Sequence, residues 1–227
     1  MNPPILIFDM DGVLVDVTES YRETIAATVE HFTGARPTNE QLQQFKNRGG
    51  FNDDWQLSHY LIAGVGFDVP FEEMKAYFQK LFLGANGVEG LIKRETWIAQ
   101  PGVLEKLAAE YRLAVFTGRP REEADITLKR FAPNLTFDPI VAMEDVARKK
   151  PDPEGLLRIA KANPDTDLIY VGDSIDDARA ARAANVPFIG VAAPSNPSYL
   201  DLIFLFQEER ARAIVDDINY LHEVFAQ

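Results

Sequence analysis

Four places in this chain combine residue types and spacings that suit chemistry on an anionic oxygen: Asp9-Met10-Asp11-Gly12, Thr117-Gly118, Lys150-Pro151 and Gly172-Asp173. Asp9 and Asp11 are two positions apart, so in an extended backbone both carboxylates face one way, about 7 Å apart along the chain. Two neighbouring carboxylates can take different protonation states, one ionised and the other exchanging protons. An ionised aspartate can attack phosphorus as a nucleophile. A threonine hydroxyl beside a glycine amide can cradle phosphoryl oxygens, and a lysine supplies fixed positive charge next to them. Each signal alone has a plainer reading. Thr117 could be a strand-end hydroxyl satisfied by a turn, and Lys150 a solvated lysine. Asp173, Asp176 and Asp177 suit a helix N-terminus, and that is the role read for Asp176.

The elements that must position these residues are visible as short apolar runs that stop abruptly. Ile5-Leu6-Ile7-Phe8 ends at Asp9, Leu113-Ala114-Val115-Phe116 at Thr117, and Leu168-Ile169-Tyr170-Val171 at Gly172. Pro139–Val141 and Pro187–Val191 are similar, and Ala213 opens a last strand before a helix carrying Ile218, Leu221 and Phe225. Unbroken apolar runs suit strands covered on both faces. Helical patterns alternate with them, at Val103–Leu107, at Leu156–Ala160 after Pro151-Asp152-Pro153, and at Ala178–Ala184. The expected fold is therefore α/β, a doubly wound and mainly parallel sheet. In such sheets ligands sit outside the carboxyl ends of the strands, where three of the polar motifs fall.

Between the first strand and the rest, the pattern changes. Tyr21, Ile25, Val29 and Phe32 keep a helical spacing that Gly34 stops, and Thr38 with Gln41 suits a capping box. Trp55, Leu61 and Ile62 mark a third helix, and Phe71, Met74, Phe78, Leu81 and Phe82 a fourth. The division expected is a core of residues 1–16 and 99–227 with an all-helical insert at 17–98. In that insert Arg48, Gly49, Gly50, Asn52 and Trp55 are either a substrate-reading loop or a plain helix connection with a packed tryptophan.

Taken together and in this order, the motifs closely resemble those of the haloacid dehalogenase-like superfamily. Asp9-Met10-Asp11-Gly12-Val13-Leu14-Val15-Asp16 resembles its first signature and Thr117-Gly118 its second. Lys150-Pro151-Asp152-Pro153 matches the lysine signature, and Gly172-Asp173-Ser174-Ile175-Asp176-Asp177 the acidic one. The insert looks like the mobile cap of one large branch. The resemblance implies that Asp9 is the nucleophile and that Asp11 is the proton donor and acceptor. It implies Mg2+ held by Asp9, the backbone carbonyl of Asp11 and Asp173, with Asp177 holding a metal-bound water or orienting the other ligands. Family dehalogenases lack an acid at the position of Asp11, so its presence points to phosphoryl transfer. Lys149 neighbours Lys150, which is favoured because it directly precedes Pro151. Arg119 departs from the small polar residue or asparagine of many relatives; it pairs with a carboxylate or touches substrate.

Other chemistries are excluded by the residues themselves. There are no cysteines among the 227 residues, so disulfides and thiolate catalysis are out. No glycine precedes a lysine, the one Gly-x-Gly (64 and 66) has Val69 where a dinucleotide fingerprint needs glycine, and no Gly-x-Ser-x-Gly occurs. An EF-hand is ruled out because Val13-Leu14-Val15 follow Gly12. His31, His59 and His222 form no ligand spacing. A net charge of -12 argues against nucleic acid or an anionic membrane as partner. No basic, apolar leader opens the sequence and the longest apolar stretch, Tyr199–Phe206, is interrupted by Asp201, so a cytoplasmic protein, monomer or homodimer, is expected. The function expected is a phosphatase of small phosphorylated metabolites. The alternatives are a sugar phosphomutase using the same aspartyl-phosphate, and a binding protein that kept the fold. The stretch 193–209 has no evident role.

Overall fold

The computed structural model describes residues 3–225. By its internal contacts the chain divides into two compact units, Met1–Val15 with Trp97–Gln227, and Asp16–Thr96.

The first unit is built on six strands: β1 (Ile5–Phe8), β2 (Arg112–Phe116), β3 (Phe137–Val141), β4 (Leu168–Gly172), β5 (Phe188–Val191) and β6 (Ala213–Val215). Their order across the sheet is β6-β5-β4-β1-β2-β3, and every neighbouring pair is parallel. Ile5, Leu6, Ile7 and Phe8 are all fully buried, as both-face coverage demands. Pro139, which cannot donate to a ladder, lies in β3 at the sheet edge, next to a register irregularity between β2 and β3. The strand order reverses between β1 and β4. That is the switch point at which an open parallel sheet leaves a crevice for a ligand.

The second unit contains α1 (Glu23–Thr33), α2 (Asn39–Arg48), α3 (Asp54–Gly64) and α4 (Phe71–Leu83). A single π-helical turn, Thr18–Arg22, leads into α1. Gly34 closes α1 in the left-handed region that glycine adopts without strain. Thr38 and Gln41 form a reciprocal capping box that opens α2, and Asp53 caps α3 by accepting from the amides of Trp55 and Gln56. Tyr21 stacks on Phe82 with ring centroids 4.0 Å apart, beside Phe78, and all three are buried in the interior of this unit. The connection at Gly84-Ala85-Asn86-Gly87 is a tight hairpin whose two-residue strands, Gly84–Ala85 and Val88–Glu89, pair antiparallel.

The core helices are α5 (Val103–Glu110), α6 (Arg121–Phe131), α7 (Glu154–Ala162), α8 (Ile175–Ala184), α9 (Tyr199–Glu208) and α10 (Leu221–Phe225). Ile5, Ile7, Phe116, Tyr170 and Phe188 share one apolar cluster with Leu156, Ile159, Ile175, Leu202 and Phe206, so α7, α8 and α9 cover one sheet face. Alternation sends Leu6 and Phe8 to the opposite face. The apolar stretch Tyr199–Phe206 lies in α9, whose Leu202 and Phe206 are buried while Leu200 and Phe204 are exposed. No helix among the described residues is long and apolar enough to cross a membrane.

Candidate active site

Asp9 follows β1 directly, and its amide donates to the carbonyl of Val171 at 2.8 Å, tying it to the end of β4. The next residues leave the sheet in a compact turn. The amides of Leu14 and Val15 donate to the carbonyl of Met10 at 2.9 and 3.0 Å, and that of Gly12 to Val15 at 2.8 Å. Met10, Val13 and Leu14 are fully buried and anchor this turn, while Asp11 stays partly exposed. Gly12 has a φ of +72°, and a Cβ there would lie 2.0 Å from Asp173 Oδ2. Glycine is thus needed twice at this position, for the backbone angle and for the approach of the acidic loop.

The acidic loop follows β4. Ser174 caps α8: its hydroxyl accepts from the Asp177 amide at 3.2 Å, and Asp177 Oδ2 accepts from the Ser174 amide at 3.0 Å and its hydroxyl at 2.6 Å. The other carboxylate oxygen of Asp177 accepts from Lys150 Nζ at 2.7 Å and the Tyr170 hydroxyl at 2.6 Å. Asp177 is fully buried, so every bond it takes is made in a dry environment. A Cβ on Gly172 would lie 2.5 Å from that of Asp177, so this glycine admits the close crossing of strand end and helix start.

Lys150 sits between two aspartates. Its ammonium forms an ion pair with Asp9 Oδ1 at 2.9 Å as well as with Asp177, and it lies 4.8 Å from the centroid of the Phe116 ring. Burial would lower its pKa, but Asp177 and Asp9 outweigh that and hold the ammonium above the usual lysine range. For Asp177 burial pushes upward, and Lys150 with the Ser174 and Tyr170 hydrogen bonds outweighs it, leaving the carboxyl below the usual range. The balance is opposite at Asp9. Burial pushes it up, Lys150 opposes, Asp177 and Asp11 add to the rise, and the result is about 7. Burial and the carboxylates of Asp177, Asp9 and Asp173 also raise the Tyr170 hydroxyl well above the ordinary tyrosine range.

One lysine therefore leaves the centre short of positive charge. Asp9, Asp173 and Asp177 each bring a carboxylate oxygen within 4.8 Å of the other two. Asp9 Oδ1 is buried, and although Lys150 is close it makes no aligned hydrogen bond to that atom. A hard, oxygen-only donor set with an anion excess and an underused carboxylate oxygen fits Mg2+.

Thr117 follows β2, is nearly fully buried, and its hydroxyl accepts from the Arg119 amide at 3.1 Å, which leaves its own proton to donate. β1 and β2 pair in parallel with Phe8 opposite Val115, so the strand ends carrying Asp9 and Thr117-Gly118 lie side by side. Asp11 turns its carboxylate to Arg119 and stands apart from the three clustered acids. Of the two sequence alternatives for Arg119, the carboxylate pair is the one observed. Arg48, Gly49 and Asn52 belong to the other unit, on the α2–α3 connection; Arg48 lies over the Phe45 ring and Lys75 over Trp55. Two residues of the site escaped the sequence reading. Tyr170 looked like one more apolar strand residue, although a tyrosine in a doubly covered strand needs a partner for its hydroxyl. For Ser174 the available signal is Ser-x-x-Asp, a capping box with aspartate in place of the usual glutamate.

Residues 4–185 match the model of the haloacid dehalogenase-like hydrolase family. The chain is 34% identical over 197 residues to an imidazoleglycerol-phosphate dehydratase of Phytophthora nicotianae, a match covering 83% of this chain but 43% of that protein's length. It is 24% identical over 229 residues to a phosphoglycolate phosphatase of Pseudomonas fluorescens, covering 96% of this chain and 78% of the other. Among solved structures, a haloacid dehalogenase-like hydrolase from Bacteroides fragilis superposes with a TM-score of 0.76 at 21% identity, covering 97% of this chain and all of that one. The parallel sheet, the helical insertion after its first strand and the extent of the family match lead to one assignment: the chain belongs to the haloacid dehalogenase-like hydrolases.

Proposed function

We propose that this hydrolase is a Mg2+-dependent phosphatase of small phosphorylated metabolites, working through a phosphorylated Asp9. The reading is carried by one observation: Asp9, the only one of the paired acids directly at the switch-point strand end, has its carboxylate within 4.8 Å of Asp173 and Asp177 and is charge-paired with a single lysine. That is the electrostatic need of a nucleophile which must meet an anionic phosphate. Asp9, Asp173 and the carbonyl of Asp11 would hold the cation, with Asp177 holding a metal-bound water or orienting these ligands, and the cation's charge would offset that of the phosphoryl group.

The protein's own residues supply the rest. Asp9 attacks phosphorus as the bond to the leaving oxygen breaks, and Asp11 gives that oxygen its proton. Water then attacks the same phosphorus, passes a proton to Asp11 and restores the Asp9 carboxylate with release of inorganic phosphate. Thr117 and the Gly118 amide hold phosphoryl oxygens, and Lys150 stays charged throughout. The helical insertion is proposed as the cap that selects substrate, with Arg48, Gly49 and Asn52 as its reading residues. Names of relatives support a small phosphate compound, since both of those described concern one.

The test is hydrolysis of p-nitrophenyl phosphate with and without Mg2+ by the wild type and Asp9→Asn. Metal-dependent turnover that disappears in the variant is expected; full activity in Asp9→Asn would overturn the reading. A sugar phosphate returned as an isomer, without free phosphate, would make the chain a mutase instead.

A further inference from the structure

Asp11 and Arg119 are 108 positions apart, yet Arg119 Nε donates to Asp11 Oδ1 at 2.6 Å and Nη2 lies 2.5 Å from the same oxygen. The two side chains differ in exposure, 1% for Arg119 against 28% for Asp11, so the guanidinium reaches the carboxylate from the protein interior. It is fixed there by its own contacts. Nη1 donates to Thr127 Oγ1 at 2.9 Å on α6, and the Arg119 carbonyl accepts from the Met143 amide at 2.9 Å. Its amide donates to Thr117, so backbone and side chain are both held.

An arginine whose side chain is 1% exposed is shut off from substrate, and its contact with Asp11 is not the bidentate fork. The guanidinium fork matches the two oxygens of a carboxylate when the aim is a strong ion pair. Here two of its nitrogens converge on one oxygen. The planar fork, unlike a flexible ammonium, fixes the orientation of what it binds. We infer that Arg119 is a positioning residue: it grips Asp11 by Oδ1, locks the side-chain rotamer, and so presents Oδ2 to the oxygen that leaves the substrate. This rests on the reading of Asp11 as the acid–base group.

The experiment compares kcat/KM for p-nitrophenyl phosphate, whose leaving group departs without a proton, with an unactivated alkyl phosphate, whose alkoxide needs one. A positioned acid contributes about 10²- to 10⁴-fold. Asp11→Asn should lower the alkyl reaction by at least about 100-fold and the aryl reaction by less than about 10-fold. Arg119→Met should shift the aryl-to-alkyl ratio the same way by about 10- to 100-fold, with Arg119→Lys intermediate. Added to Asp11→Asn, Arg119→Met should change the ratio by less than about two-fold, because both act through one group. Equal losses on both substrates in the arginine variants, or additive effects in the double variant, would overturn the inference. Should Arg119→Met fail to fold, Arg119→Lys decides: an unchanged ratio overturns it. If Asp11→Asn itself shows no leaving-group selectivity, the acid–base reading falls and this inference with it. Selectivity in Asp11→Asn without any in Arg119→Lys sinks the arginine assignment alone.

Discussion

A methyl group on Gly12 would stand 2.0 Å from Asp173 Oδ2, although the two residues lie on different loops and are remote in the chain. The turn after β1 and the acidic loop after β4 thus approach as closely as a missing side chain allows. Gly12→Ala would force them apart and place alanine at φ +72°. A loss of about 2–3 kcal/mol is expected from overpacking and the left-handed backbone together. Urea unfolding measures it, and Mg2+ affinity should fall with it because Asp173 is displaced.

Lys150 is ion-paired with both Asp9 and Asp177. Lys150→Met leaves two buried carboxylates facing each other. Breaking a buried pair from one side costs about 3–5 kcal/mol, part of which protonation of Asp9 would relieve. Turnover should fall by about 100-fold or more, as when a fixed charge beside a transferring phosphoryl group is lost. Steady-state rates at saturating Mg2+, with unfolding measured alongside, check both effects.

The Tyr170 hydroxyl donates a hydrogen bond to Asp177 Oδ1, and Ser174 holds Oδ2. Tyr170→Phe should cost about 1.5–3 kcal/mol, the worth of a hydrogen bond to a buried charged acceptor. Groups that orient metal ligands typically change metal affinity by about 10- to 100-fold, and a weakening in that range is expected for this variant. Calorimetric titration with Mg2+ reads the second effect directly.

Asp9 titrates between pH 5 and 8, while Asp177 is held below the usual carboxylate range and Lys150 and Tyr170 above their usual ranges. With its pKa raised to about 7, metal-free Asp9 keeps its proton in the folded state at pH values where the unfolded chain has lost it. Its contribution to stability is therefore fully present below about pH 4 and is lost as pH rises through about 7. Mg2+ held by Asp9 would have to displace that proton. Its apparent affinity should drop about 30-fold from pH 8 to pH 5.5. Thermal melts with and without Mg2+ at the two pH values should show the larger metal-induced rise in Tm at pH 8; equal rises would contradict the assignment of Asp9 as a ligand.

The strands of this core were legible because burial on both faces leaves an unmistakable run: Ile5–Phe8 and Leu168–Val171 match β1 and β4 almost residue for residue. The family was legible for the same reason, since its motifs sit where those runs stop. Helix punctuation carried over too, at Gly34 and at Thr38 with Gln41. What sequence could not supply were choices made by tertiary contact. Nothing local tells that Arg119 turns inward to Asp11 and Thr127 while Arg121 goes to Asp145 and the Ile140 carbonyl. Nor does composition decide that α9 buries Leu202 and Phe206 and leaves Leu200 and Phe204 in solvent. Tyr170 was hidden by its neighbours, because a hydroxyl inside an apolar strand gives no periodic signal.

The most direct test of the account is to stop turnover of a phosphorylated substrate in acid within its first cycles and map the protein by mass spectrometry. A phosphoryl group on the peptide that carries Asp9, absent from Asp9→Asn, is the predicted result. Phosphate released at the normal rate by a protein that never carries the group on Asp9 would contradict it.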